Sequence, residues 1–144
     1  MNKLLTLKAI QTITSGKWIT EPKDDSKTII GGAFDTRALG NAQVFFAWKG
    51  ESSDGHLYLG QLEASNIELI IVEKEVEAVG DKAILLVQDS MQALHQMAAE
   101  LIKGFSGKIV NITGSSGKTT TKTWLKHIVG NNLKFLTNVG SFNN

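Results

Sequence analysis

Residues 109–121 read Ile109-Val110-Asn111-Ile112-Thr113-Gly114-Ser115-Ser116-Gly117-Lys118-Thr119-Thr120-Thr121. An apolar strand runs into a glycine turn, and the turn opens a helix. That order predicts an α/β unit whose turn cradles phosphate. Backbone N–H groups of such a turn point at phosphate oxygens, and the positive end of the helix dipole adds to them. Gly114 and Gly117 stand where a side chain would block the approach. Lys118 is placed to reach the β- and γ-phosphates of a nucleotide, and the Thr119 hydroxyl to sit on Mg²⁺. The strict G-x-x-x-x-G-K-[ST] pattern is not met. Its first glycine would fall at Ile112, and the glycine is instead Gly114. The competing reading is a chance Gly-Lys-Thr at a helix start, and the flanking strand and helix argue against it. The other Mg²⁺ ligands and an adenine pocket are expected further along than these residues.

Outward from the turn, strands and helices alternate. Downstream, a helix over 118–129 has Trp124, Leu125, Ile128 and Val129 as its expected buried side. Gly130-Asn131-Asn132 stops it, and a strand begins at 134–136. Upstream, Ser90 is the expected cap of a helix with Met91, Leu94, Met97, Ala98, Leu101 and Ile102 on its apolar face, closed by Gly104. Apolar runs at 44–48, 68–72 and 83–87 suit strands covered on both faces. A weaker run at 28–34 carries Gly31-Gly32 and a bulge signal. A helix over 6–14, capped by Thr6 and ended at Gly16, and another over 55–64 complete the layout. This alternation predicts the α/β class. The boundary falls near 105–107. Residues 1–105 read as a small, complete α/β domain, and residues 106–144 as the opening β-α-β of a P-loop ATPase domain. A β-α-β opening cannot bury both faces of its sheet, so the chain is expected to stop inside its second domain.

Composition narrows the function classes. Fifteen Lys+Arg against fourteen Asp+Glu leave a net charge of +1, which gives no electrostatic case for a nucleic-acid partner. The chain has no cysteine, which excludes disulfide scaffolds, thiolate metal sites and thiol nucleophiles. No apolar run approaches the roughly 18 residues of a membrane helix, and the first residues lack a secretory core. A cytoplasmic, membrane-free protein, monomeric by default, is the expectation. No His/Asp/Glu spacing makes a metal site of its own.

The turn Thr113-Gly114-Ser115-Ser116-Gly117-Lys118-Thr119-Thr120 resembles that of the Mur ligases, ATP-dependent amide-forming enzymes of peptidoglycan precursor synthesis. Markers upstream extend the resemblance over nearly the whole chain. Asp35-Thr36-Arg37 is similar to the family's D-[ST]-R motif. Residues 44–51, Val-Phe-Phe-Ala-Trp-Lys-Gly-Glu, are similar to its strand and loop, with Trp48 in place of the usual Leu. Asp54-Gly55-His56 matches its D-G-H, and Val87-Gln88-Asp89 its V-x-D. Gly-Ser-Ser-Gly-Lys-Thr and the tail ending Asn143-Asn144 look like the type that adds D-alanyl-D-alanine (the MurF type) more than the MurE type.

The resemblance implies a substrate, UDP-N-acetylmuramoyl-tripeptide, whose carboxylate ATP activates as an acyl phosphate before the amine of D-alanyl-D-alanine displaces phosphate. It implies ATP and Mg²⁺ as cofactors, held by Gly114, Ser115, Ser116, Gly117, Lys118, Thr119 and Thr120. In that scheme Lys118 is the catalytic cation and Thr119 a metal ligand. It also implies that residues 1–105 hold the UDP-sugar end, with Asp35, Thr36, Arg37, Lys49, Gly50, Asp54, Gly55 and His56 as substrate contacts. Such a chain is expected to be inactive alone, without the rest of the ATPase domain and a C-terminal domain. For several residues a second role stays open. Asp35 and Arg37 either grip an anion or brace a loop. Lys49 is a phosphate or uridine contact, or a solvated lysine. Asp54 is a ligand contact or a helix cap, and His56 a substrate contact or a structural group. Other readings are a MurE-type ligase, a non-catalytic UDP-sugar-binding module ending naturally at Asn144, and an unrelated P-loop ATPase.

Overall fold

The computed structural model describes residues 4–50, 53–130 and 136–137. The chain divides into two units, 1–105 and 106–144.

The first unit opens with β1 (Leu5–Thr6), which passes straight into α1 (Leu7–Thr14). Thr6 is the N-cap, as its sequence position predicts, and its hydroxyl accepts the Ala9 N–H at 3.1 Å. The helix stops at Ser15, in the left-handed conformation at φ 52°, one residue before the expected Gly16. Gly16 serves packing instead: a Cβ there would lie 2.7 Å from Leu85 Cγ. The edge strand β2 (Lys17–Thr20) follows. It is short and half-buried, too weakly patterned for the sequence to single out. The run at 28–34 is two strands rather than one. Gly31, at φ 66°, turns the backbone between β3 (Thr28–Ile29) and β4 (Gly32–Ala33). β3 therefore pairs with β1 while β4 joins the main sheet.

β5 (Val44–Phe46) comes next, then a 3₁₀ helix (Gly55–Leu62) where an α-helix over 55–64 was expected. The three-residue period sets Leu59 and Leu62, the helix's buried residues, on one line. β6 (Leu69–Val72) crosses to β7 (Ala83–Leu86) through residues 73–82, a connection without a helix that buries Val79. The last element is α2 (Ser90–Lys103). Its N-cap is Asp89, whose carboxylate accepts the Gln92 N–H at 2.8 Å, and not Ser90. Its buried line is Ser90, Ala93 and Met97, with Leu94 packed beside them. Met91, Leu101 and Ile102, expected on the buried face, are exposed. The helix packs through its N-terminal half, so the apolar stripe near Gly104 meets no sheet.

The main sheet has the order β2-β7-β6-β5-β4. β4, β5, β6 and β7 are parallel, and β2 is antiparallel at the edge. Val44, Phe46, Leu69, Ile71 and Leu85 face α1 and α2; Phe45, Ile70, Val72 and Ile84 face Leu59, Leu62, Ile67 and Val79. All four residues of β6 are fully buried, as a central parallel strand covered on both faces requires. The α/β class read from the sequence is the class observed.

In the second unit α3 (Lys118–Val129) forms at the predicted place. The strand expected at 108–112 is not formed, because no described segment runs alongside to pair with it. The buried side expected for α3 is open as well. Trp124 is 68% and Ile128 67% exposed, with Leu125 and Val129 half-buried. Of the strand expected at 134–136, Lys134 and Phe135 lie outside the described residues, as does the tail 138–144. Among the described residues no helix is long and apolar enough to cross a membrane.

Candidate functional site

β4 and β5 are adjacent and parallel, so both leave the sheet at its carboxyl edge, where open α/β sheets commonly hold ligands. Each opens into a turn that carries one of the sequence motifs.

The turn after β5 holds Lys49, Gly50, Asp54 and Gly55. Lys49 and Asp54 form an antiparallel bridge, the Gly50 N–H donates to the Ser53 carbonyl at 2.8 Å, and the Gly55 N–H to the Trp48 carbonyl at 2.9 Å. Glu51 and Ser52 lie outside the described residues. A Cβ on Gly55 would stand 3.2 Å from Ala47 Cα and 3.3 Å from Trp48 N. Glycine here lets the returning backbone touch the end of β5.

Asp54 is the N-cap of the 3₁₀ helix, the role the sequence left open beside ligand contact. Its Oδ1 accepts the His56 N–H at 2.9 Å and sits 2.6 Å from His56 Nδ1. Its Oδ2 meets Lys74 Nζ at 3.0 Å. The Lys74 ammonium first, then the His56 backbone and ring, hold the Asp54 carboxyl well below the usual carboxylate range. The His56 side chain is only 3% exposed. Its Nε2 accepts the Glu73 N–H at 3.0 Å, so that nitrogen carries no proton and Nδ1 is the donor to Asp54. Both ring nitrogens are thus engaged within the domain. Glu73 extends the network: its Oε1 accepts the Ser90 N–H at 2.9 Å and the Ser90 hydroxyl at 2.5 Å. One run of hydrogen bonds ties together the start of the 3₁₀ helix, the exit of β6 and the start of α2. Sequence reading missed Glu73 and Lys74, and took Ser90 for a helix cap rather than a partner of Glu73. Glu73 and Lys74 carry no motif, and only the three-dimensional meeting of strand ends reveals this clamp.

The turn after β4 holds Asp35, Thr36 and Arg37. The Arg37 guanidinium forks onto Asp35, with Nε to Oδ1 at 2.9 Å and an outer nitrogen to Oδ2 at 2.7 Å, and the Arg37 N–H also reaches Oδ1. This fork lowers the Asp35 carboxyl to about 2. The brace reading is therefore present in the geometry, yet the Arg37 side chain is 86% exposed. The Thr36 hydroxyl donates to Gln61 Oε1 at 2.8 Å, which joins this turn to the 3₁₀ helix. Phe34, just ahead of the motif, stacks on Trp48 with centroids 4.9 Å apart and planes 15° from parallel.

The phosphate-type turn lies in the second unit. Gly114 at φ 151° and Gly117 at φ 76° adopt backbone that favours glycine. α1, the 3₁₀ helix and α2 each have a side-chain oxygen on their first N–H groups, whereas α3 starts on Gly117 with no side-chain cap. Its opening turn carries no acidic residue, and the Lys118 ammonium folds back onto the Gly114 carbonyl. Such a helix start, with a lysine at hand, suits an anion with several oxygens. Ser115, Ser116, Thr119 and Thr120 sit on or just after the turn. Among the described residues no group of three or more His, Asp or Glu gathers as a metal site. His95 and His127 are exposed.

No protein-family model matches the chain. A Bacillus subtilis enzyme named UDP-N-acetylmuramoyl-tripeptide–D-alanyl-D-alanine ligase is 31% identical over 140 residues, which is 96% of this chain and 30% of that enzyme. Relatives named UDP-N-acetylmuramoyl-L-alanyl-D-glutamate–2,6-diaminopimelate ligase also match. Among solved structures, MurF from Acinetobacter baumannii superposes with a TM-score of 0.75 at 32% identity, covering 90% of this chain and 28% of that one. MurF from Thermotoga maritima in complex with ADP gives a TM-score of 0.60 at 35% identity, over 70% of this chain and 23% of that one. The chain therefore spans less than a third of the length of these relatives. Over nearly its whole length the chain is thus similar to the amino-terminal part of MurF-type Mur ligases.

Proposed function

We propose that this chain supplies the substrate-holding domain and the phosphate-binding turn of a ligase that adds D-alanyl-D-alanine to UDP-N-acetylmuramoyl-tripeptide. The observation that carries this reading is the match over 140 residues to an enzyme of that name, motif turns included. Residues 1–105 would hold the nucleotide-sugar end at the carboxyl edge of the sheet, through the turns after β4 and β5. Residues 106–144 would open the ATP-binding domain. The uncapped start of α3 and Lys118 fit a triphosphate, and the Thr119 hydroxyl fits Mg²⁺ beside it. ATP, when bound, supplies the phosphoryl group that turns the tripeptide carboxylate into an acyl phosphate. Lys118 and the N–H groups of the turn then bind and orient the transferring phosphates and offset their charge. His56 and Asp54 brace the start of the 3₁₀ helix against the end of β6, and Arg37 and Lys49 supply cations for the nucleotide-sugar phosphates. The protein works in the cytoplasm, with no nucleic-acid or membrane partner. The 144-residue chain alone does not turn over.

Isothermal titration of the chain with UDP-N-acetylmuramoyl-tripeptide tests this, together with a phosphate-release assay in ATP, Mg²⁺ and D-alanyl-D-alanine. Binding without phosphate release is the expected result. Competition between the tripeptide and dipeptide precursors separates the MurF from the MurE reading. Absence of binding to any uridine nucleotide would overturn the substrate assignment, and turnover would overturn the claim of inactivity.

A further inference from the structure

We propose that the stacked Phe34–Trp48 pair is the platform on which the planar base of the bound nucleotide lies, with Arg37 and Lys49 meeting its phosphates. This rests on the reading that residues 1–105 hold a uridine nucleotide-sugar, and adds how the base is gripped.

The placement follows from the sheet. β4 and β5 run parallel, with Gly32 beside Val44 and Ala33 beside Phe45. Phe34 is the first residue past β4, and Trp48 lies two past β5. The rings meet at 4.9 Å and 15°, so they form one near-parallel stack at the carboxyl edge. Neither ring belongs to the two core clusters, and Phe34 is 50% exposed. The pair leaves aromatic surface open to solvent, and aromatic surface of this kind favours one more flat ring.

Charge identifies the rest of the ligand. Each ring is followed at once by a cation: Arg37 in the turn at 35–38, and Lys49 directly after Trp48. Arg37 spends two donors on Asp35. A guanidinium has five, so the others remain for an anion. Lys49 is exposed. A flat aromatic face with cations beside it matches a nucleotide, whose base is planar and whose phosphates are anionic. A sugar or a peptide alone offers the stack no such ring.

The test titrates the 144-residue chain with UMP and with UDP, using calorimetry for affinity and proton NMR for the uracil H5 and H6 signals. In the wild type these signals move upfield on binding, as ring currents above an aromatic face require. Trp48→Leu and Phe34→Leu are each expected to raise Kd about 10-fold or more and to remove the upfield shift. Trp48→Phe keeps both. Thermal melts check that each variant folds, and Phe34→Leu, at an exposed site, covers the case in which Trp48→Leu does not. If wild type binds UMP and both leucine variants bind it equally, the platform is wrong while the substrate reading stands. N-acetylglucosamine 1-phosphate displacing UDP while UMP fails to bind would show that the sugar occupies the stack, and would overturn the proposal. If wild type binds no uridine nucleotide or nucleotide-sugar, the substrate reading itself falls.

Discussion

Replacing His56 with alanine removes a ring whose two nitrogens both serve the fold. The Glu73 N–H would lose its acceptor at 3.0 Å, and Asp54 would lose its 2.6 Å partner. The side chain is 3% exposed, so water does not replace these bonds. Leaving a buried N–H unpaired costs about 1–3 kcal/mol, and the lost ring contacts add about 1 kcal/mol. The sum is about 2–4 kcal/mol. A domain of this size loses about 4–8 °C of melting temperature per kcal/mol, so the ligand-free chain should melt at least ~8 °C lower. His56→Gln should recover a large part, because the amide oxygen accepts from Glu73 and the amide N–H donates to Asp54. Circular-dichroism melts at pH 7 measure both. A His56→Ala chain that melts within ~2 °C of wild type but binds uridine nucleotides poorly would refute the reasoning, and would make His56 a ligand contact.

The Asp35 carboxyl, held at about 2 chiefly by the Arg37 side chain, should titrate near that value by carbon NMR and return toward 3.8 in Arg37→Gln. Its folded value lies below its ordinary one, so the stability it contributes is present above pH 3.8 and is lost as pH falls toward 2. Ser90→Ala strips a hydroxyl from the Glu73 carboxylate at a fully buried position. Urea denaturation should show a loss of about 1–3 kcal/mol. Gly55→Ala forces a Cβ against the backbone of Ala47 and Trp48. The expected cost is about 1–3 kcal/mol, with faster exchange of the amide at position 55, which donates to the Trp48 carbonyl.

Much of the sheet was legible because its strands are compact apolar runs. Val44–Phe46, Leu69–Val72 and Ala83–Leu86 all fall within the predicted runs. Thr6 and Asp54 also announced themselves, since a short polar side chain before a helix has one common use. Ser90 misled for the same reason. It looks like a cap, but Asp89 takes that role, and the Ser90 hydroxyl turns inward to Glu73. β2 was missed because four residues against a long-range partner leave no local period, and Gly31 split a strand that composition alone could not divide. The motif turns were readable from their residue types. The clamp of Glu73, Lys74 and Ser90 was not, since each answers to a distant partner, Glu73 and Lys74 have no signature, and that of Ser90 points to a different role. For α3 the helix itself was legible and its buried face was not, because burial depends on neighbours that periodicity does not encode.

The helix-free crossover at 73–82 bears on the order in which the sheet assembles. It closes a short loop between two strands that share four register pairs, Leu69 with Ala83 through Val72 with Leu86. β4 and β5 also lie close in sequence but share only two pairs, and β2 must find β7 across most of the domain. Entropy lost on closing a loop rises with its length, while the reward rises with the length of ladder that forms. The β6–β7 pair therefore forms first, and the sheet grows outward from its centre to its edges. Conservative truncations at Ile70 and Ile84 will slow folding, whereas those on β2 will speed unfolding.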